Sequence, residues 1–293
     1  MLLRNIKLRN YPGFTKIDLD FSKTNVLLIC DDVFQSTIDD MSDLFIFLLM
    51  LAHHDSHSYM KSNLTDDITT ISIEFTTEDG EEYYYYLQIS KLGIHAEELY
   101  KNDNIIYQAE STPITKNPTL PNPVRQFIQS FIIMDLNKEF WLKDLLDEAI
   151  NKCNSDKEYY EIMTSIMKNF NFLEAENNLR CVGDDVYIYG RSVRESNYTV
   201  KVVFSLLPLF IECIGTQSVM FLHGFDIDID MKSKLNLLNL FVNKGINDNN
   251  SQLLFTDKTS YQEYDLMLSF YSKCILTQDY NKNYILTNQK NDT

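Results

Sequence analysis

The stretch Asn25-Val26-Leu27-Leu28-Ile29-Cys30-Asp31-Asp32-Val33-Phe34-Gln35-Ser36 decides how the rest of the chain is read. Asn25–Ile29 is a continuous apolar run, the pattern of a strand buried on both faces of a sheet. Apolar residues then recur at Ile38, Met41, Phe45, Leu48 and Leu49, which predicts a helix through Leu51 capped by Ser36, Thr37 or the Asp31/Asp32 pair. A strand running directly into a helix is the first unit of a parallel α/β sheet. The last third of the chain repeats the unit. Val219–Phe225, Gln252–Thr256 and Cys274–Thr277 read as buried strands, separated by helical spacing over Lys232–Asn243 and Tyr261–Tyr271.

Between these ends the pattern changes. Leu3–Arg9 and Lys16–Phe21 alternate around Tyr11-Pro12-Gly13. Ile68–Thr76 and Glu82–Ser90 form a second predicted hairpin about Glu78-Asp79-Gly80, and Gly93–Tyr100 with Ile105–Gln108 extends the meander. Ser111–Pro123 holds four Pro and reads as a linker. Val124–Met134, Phe140–Asn151 and Glu158–Phe170 have helical spacing. Val186–Tyr189 returns to strand, and a helix over Tyr198–Ile214 must kink at Pro208 or start late.

Composition narrows the function. With 26 Lys+Arg against 42 Asp+Glu, the net charge of −16 argues against a broad basic surface for nucleic acid. Only 8 of the 293 residues are Gly, so a glycine loop for phosphate would have to gather several of them in one place. The longest apolar run, Leu44–Ala52, falls far short of the ~20 residues that span a bilayer. Met1–Asn10 lacks the apolar block of a signal peptide. Five scattered Cys (30, 153, 181, 213, 274) without a CxxC pair predict a reduced, cytoplasmic protein with no membrane association.

The order of elements resembles an ABC-type ATPase head, an α/β P-loop NTPase-like fold. Such a head has a mixed sheet flanked by helices, an N-terminal antiparallel β subdomain and a helical insertion. In particular, the chain resembles the OLD-like and SMC-like AAA ATP-binding proteins of bacterial phage-defence operons. Ile6-Lys7-Leu8-Arg9-Asn10-Tyr11, Ile17-Asp18-Leu19-Asp20-Phe21 and Asn25-Val26-Leu27-Leu28 follow that family's opening pattern. The likeness covers nearly all of residues 1–293 as one domain. It implies a β-rich lobe at 1–110, a helical insertion at 111–178 and an α/β lobe at 179–293.

The chemistry of the resemblance is missing. A phosphate loop reads GxxxxGK[ST], because its glycines let backbone N–H groups surround phosphate while Lys supplies charge. The ungapped counterpart runs from Ile29 to Ser36. Ile29 and Phe34 replace the glycines, Gln35 replaces Lys, Asp31 and Asp32 add negative charge, and only Ser36 keeps its magnesium-ligand type. The family's Asp-Glu pair, which orients magnesium and activates water, falls at His223 and Gly224. Its signature Glu-Ser-x-Gly-Thr reads Glu195-Ser196-Asn197-Tyr198-Thr199, with Tyr198 at the Gly, and its switch His falls at Lys258. These four losses imply a pseudo-ATPase without cofactor. The resemblance implies a protein partner, either an intact ATPase paralogue or an effector nuclease or toxin. The alternative is a divergent ATPase that still binds ATP and magnesium, with Lys258, Arg191 or Arg194 in place of the missing Lys. A third reading is a metal-dependent nuclease using Asp226.

Other motifs carry simpler readings. His53-His54-Asp55-Ser56-His57 has the residue types of a metal site but no second ligand pair, so a solvated loop is preferred. Asp226, Asp228 and Asp230 lack the Gly and distal Glu of a calcium loop. Tyr83–Tyr86 alternates faces on one strand, with packing as the default. His223, near Asp226 and Asp257, reads first as a hydrogen-bonded structural histidine.

Overall fold

The computed structural model describes residues 2–11, 14–22, 24–30, 66–77, 79–109, 130–136, 141–169, 179–225, 229–257, 264, 272–278 and 284–288. The predicted helix after Asn25–Ile29, the Pro-rich linker, the His53–His57 cluster, Asp226 and Lys258 lie outside the described residues.

Strands β1 (Leu2–Tyr11), β2 (Phe14–Asp20), β3 (Val26–Cys30), β4 (Thr69–Thr76), β5 (Glu82–Ser90), β6 (Gly93–Lys101) and β7 (Asn104–Ala109) come first. They are followed by β8 (Phe131–Asp135), helices α1 (Trp141–Ser155) and α2 (Lys157–Asn169), and the small strands β9 (Arg180–Val182), β10 (Asp185–Ile188) and β11 (Arg191–Ser192). A 3₁₀ turn (Val193–Glu195) leads into α3 (Tyr198–Gly215), then β12 (Val219–His223), α4 (Met231–Val242), β13 (Gln252–Asp257), β14 (Ser272–Gln278) and β15 (Tyr284–Asn288). Twelve strands form one sheet in the order β7-β6-β5-β4-β1-β2-β15-β14-β3-β13-β12-β8, and β9–β11 form a separate three-stranded sheet.

The sheet has two characters. From β14 through β3, β13 and β12 to β8 every pairing is parallel. From β2 outward to β7 every pairing is antiparallel. β15 joins the halves, antiparallel to β14 and parallel to β2.

Side chains of the parallel strands alternate between two cores. Val26, Met220, Leu222, Leu253 and Phe255 enter one core with residues of α1, α2, α3 and α4. Leu27, Ile29, Val219, Phe221 and Leu254 enter the other with residues of β1, β2, β4, β5 and β6. The helices therefore cover one face and the antiparallel strands the other. Both faces are buried, which is why these strands are apolar without interruption. In the antiparallel half one face is buried, so Tyr83 and Tyr85 point inward. Tyr84 stacks on Tyr86 (centroids 6.4 Å) on the opposite, half-exposed face.

Three readings change. Phe131–Asp135, assigned to the end of a helix, is strand β8 paired in parallel with β12. Helical spacing and a short apolar run are indistinguishable over so few residues, and the free edge of β12 decides for strand. β9, β11 and β15 were not anticipated. α3 begins at Tyr198 and runs through Pro208 without a late start. It is also long and apolar enough to cross a membrane by length and composition, but more than half of it is buried inside the protein. That makes it a core helix. Pro208 withholds one backbone N–H there, while Asn197 Oδ1 caps the first turn by accepting from Val200 N at 2.9 Å.

Candidate functional site

Parallel strands leave a crevice at their carboxyl ends, where open α/β sheets place ligands. In register, that edge presents Cys30 beside Asp257 and His223 beside Asp135. β13 thus lies between β3 and β12, the strands that end at Cys30 and His223. Ile29 is buried one residue before the end of β3. Asp31, Asp32, Phe34, Gln35 and Ser36 lie outside the described residues.

At the end of β12, His223 and Gly224 are both bound to Thr256. His223 is buried, and its Nδ1 lies 3.0 Å from Thr256 Oγ1. Gly224 N donates to the same hydroxyl oxygen at 2.9 Å, and Phe225 N donates to the Thr256 carbonyl at 2.8 Å. Gly224 has φ +75°, a left-handed turn that carries the chain off the strand. A side chain there costs about 1–2 kcal/mol. Position 224 therefore has a backbone suited to Gly.

Among the described side chains at this edge, the carboxylate of Asp257 is tightly held. Its Oδ2 accepts from Lys234 Nζ at 2.8 Å and from Tyr264 OH at 2.5 Å. Both members of the ion pair are buried, at 5% and 0% side-chain exposure. Lys234 reaches it from the first turn of α4 and also lies 5.6 Å over the Phe225 ring. The Phe225, Phe255 and Tyr264 rings pack edge to face around the pair. A buried charge needs a partner of this kind, because desolvation otherwise costs several kcal/mol. This cluster was missed from sequence. Its signal was Lys234 itself, on the same helical stripe as the apolar Leu237, Leu238 and Phe241.

The remaining candidates are placed individually. Asp230 caps α4, accepting from Ser233 N at 2.9 Å and from Ser233 Oγ at 2.8 Å. Ser196 Oγ donates to the Ser192 carbonyl at 3.1 Å, and Tyr198 is exposed at the start of α3. The Arg194 guanidinium is ion-paired with Asp147 and reaches Asp185 at 3.7 Å, so these two carboxylates hold it. Of the first hairpin's cations, Lys7 pairs with Glu74 and Lys16 with Asp18. Among the described residues no group of three or more His, Cys, Asp or Glu side chains is placed to hold a metal ion.

No protein-family model matches the chain, and no curated protein matches it. Solved structures do. The recombination mediator protein RecF of the RecFOR pathway, in its ATPrS form, aligns with 98% of this chain over 98% of its own, at 12% identity and TM-score 0.50. Its ATP form covers 92% of this chain and 95% of its own, at 14% identity and TM-score 0.45. RecF is an ABC-type ATPase. The chain therefore has an ABC-ATPase-like fold.

Proposed function

We propose that the chain is an ABC-type ATPase head that no longer hydrolyses ATP and serves as a protein-binding or regulatory module. The observation that carries this reading is the polar network at the ends of β12 and β13. His223 and Gly224 share the Thr256 hydroxyl, and the Asp257 carboxylate is held by Lys234 and Tyr264. Hydrolysis needs one carboxylate to orient magnesium and a base to position water. At the positions corresponding to the Asp-Glu pair this chain offers an imidazole and a backbone turn. The nearby acid is neutralised within the core.

The partner in this reading is a second protein, either an intact ATPase paralogue or an effector nuclease or toxin. The setting is the defence-type operon that the sequence resemblance implies. A divergent nucleotide-binding head is the second reading, supported by the likeness to RecF solved in its ATPrS form. It needs a cation at the phosphate loop, and Arg194 is already committed to Asp147 and Asp185. Phosphate release from Mg-ATP tests the two. The proposal predicts no turnover above background for the purified chain. Turnover that disappears in Ser36→Ala would overturn it.

A further inference from the structure

The edge of the parallel sheet opposite the crevice holds a cavity of about 430 Å³. It lies where β1 begins, where the chain enters β3 and β13, and where α4 ends. β3 has five residues, so about 16 Å of strand at ~3.3 Å per residue separates this cavity from the carboxyl edge. Its charge pattern is opposite to that of the protein. In a chain of net charge −16, the described lining carries Arg4 and Lys244 and no carboxylate, although the Asp20 carboxylate outside it accepts from the lining residue Ser22 N at 2.7 Å. Neither cation has an ion-pair partner among the described residues. Ser22, Asn25 and Asn250 add neutral polar groups, while Gln252 is occupied in bonding both Leu3 N and Leu3 O.

The C-terminal dipole of α4 accounts for a cation at Lys244. It accounts for neither Arg4 nor the missing carboxylates. A guanidinium and an ammonium lining one cavity, with hydroxyl and amide groups in the same lining, are the donor types that phosphate oxygens require. We infer that this cavity binds a small phosphate-bearing anion, such as pyrophosphate or a phosphate monoester. Size is limited on one side. Arg4 also borders a second cavity, of about 400 Å³, whose lining includes Glu74, Glu82 and Asp103. Those carboxylates repel an extended polyanion such as nucleic acid but leave room for a compact one.

The test is isothermal titration of the full chain with sodium pyrophosphate at constant ionic strength, without divalent metal, beside a thermal-shift series. Saturable binding with a rising melting temperature is expected. Each of Arg4→Ala and Lys244→Ala should weaken it roughly tenfold, the effect of removing one charge-assisted hydrogen bond. Both side chains are exposed, so the unliganded melting temperature should not change. Three results would overturn the inference: no saturable binding, equal binding of malonate, or binding unchanged in the double variant. The last would place phosphate elsewhere and count separately against the pseudo-ATPase reading. Absence of binding would leave that reading untouched.

Discussion

Replacing Lys234 with Met should destabilise the protein strongly, because it strips a buried carboxylate of its cation while keeping much of the side chain's bulk. The Asp257 side chain is fully buried, and the ion pair spans 2.8 Å in the core between α4 and β13. Breaking such a pair from one side costs about 3–5 kcal/mol, since the remaining charge stays in a poor solvent. Loss of the ammonium over the Phe225 ring adds up to ~2 kcal/mol. At about 2–4 °C per kcal/mol for a domain of this size, Lys234→Met should melt at least ~6 °C lower. Removing both charges should recover most of the loss. Buried pairs replaced by apolar residues of similar volume are often neutral. Lys234→Met/Asp257→Leu should therefore lie well above the sum of the single variants, with a coupling of at least ~2 kcal/mol in a double-mutant cycle. Urea denaturation of the four proteins gives these values directly. A Lys234→Met penalty below ~1 kcal/mol, or simple additivity, would refute the reasoning.

Other consequences are simpler. Burial pushes the Cys153 and Cys213 thiols up to about 12 and holds the Tyr85 phenol well above its usual range, with Glu97 adding to it. In the unfolded chain these groups ionise earlier, so the native state binds more protons above about pH 9. The stability they contribute is complete below the unfolded values and is lost as pH rises toward 12, which urea midpoints measured at intervals from neutral pH upward will show as a steady fall. Asn197→Ala and Asp230→Ala each remove a helix cap and should cost about 1 kcal/mol, or ~2–4 °C by calorimetry. Gly224→Ala should cost about 1–2 kcal/mol from its left-handed backbone. For the same reason, restoring the family residues with His223→Asp/Gly224→Glu should lower stability and still release no phosphate from ATP.

Much of the architecture was legible because burial on both faces leaves an unbroken apolar run. Val26–Ile29, Val219–Leu222 and Leu253–Phe255 have that pattern and are neighbours in the sheet. The hairpins were legible from alternation and turn residues. β8 was not, because Phe131–Met134 alone fits a helix or a strand, and only its pairing with β12 settles the matter. β15 ends at Asn288, where the sequence turns polar, and its place depends on the distant partners β14 and β2. The residues at the ends of β12 and β13 could be read directly from sequence. The network among them could not. Thr256 binds His223 and Gly224 from 32 or 33 residues away, and Lys234 meets Asp257 across 23. Lys234 on an apolar helical stripe announced a buried partner without naming it. The charge pattern of the 430 Å³ cavity likewise arises from segments at residues 2–4, 21–25 and 242–252, which only the fold brings together.

The central claim is tested most directly by isothermal titration of the purified chain with Mg-ATP to millimolar nucleotide, carried out on Arg4→Ala/Lys244→Ala so that the opposite cavity contributes nothing. The account predicts no heat of binding and no rise in melting temperature, because the sequence Ile29–Ser36 contains neither the glycines nor the cation that a triphosphate needs. Saturable binding in the micromolar range would contradict it.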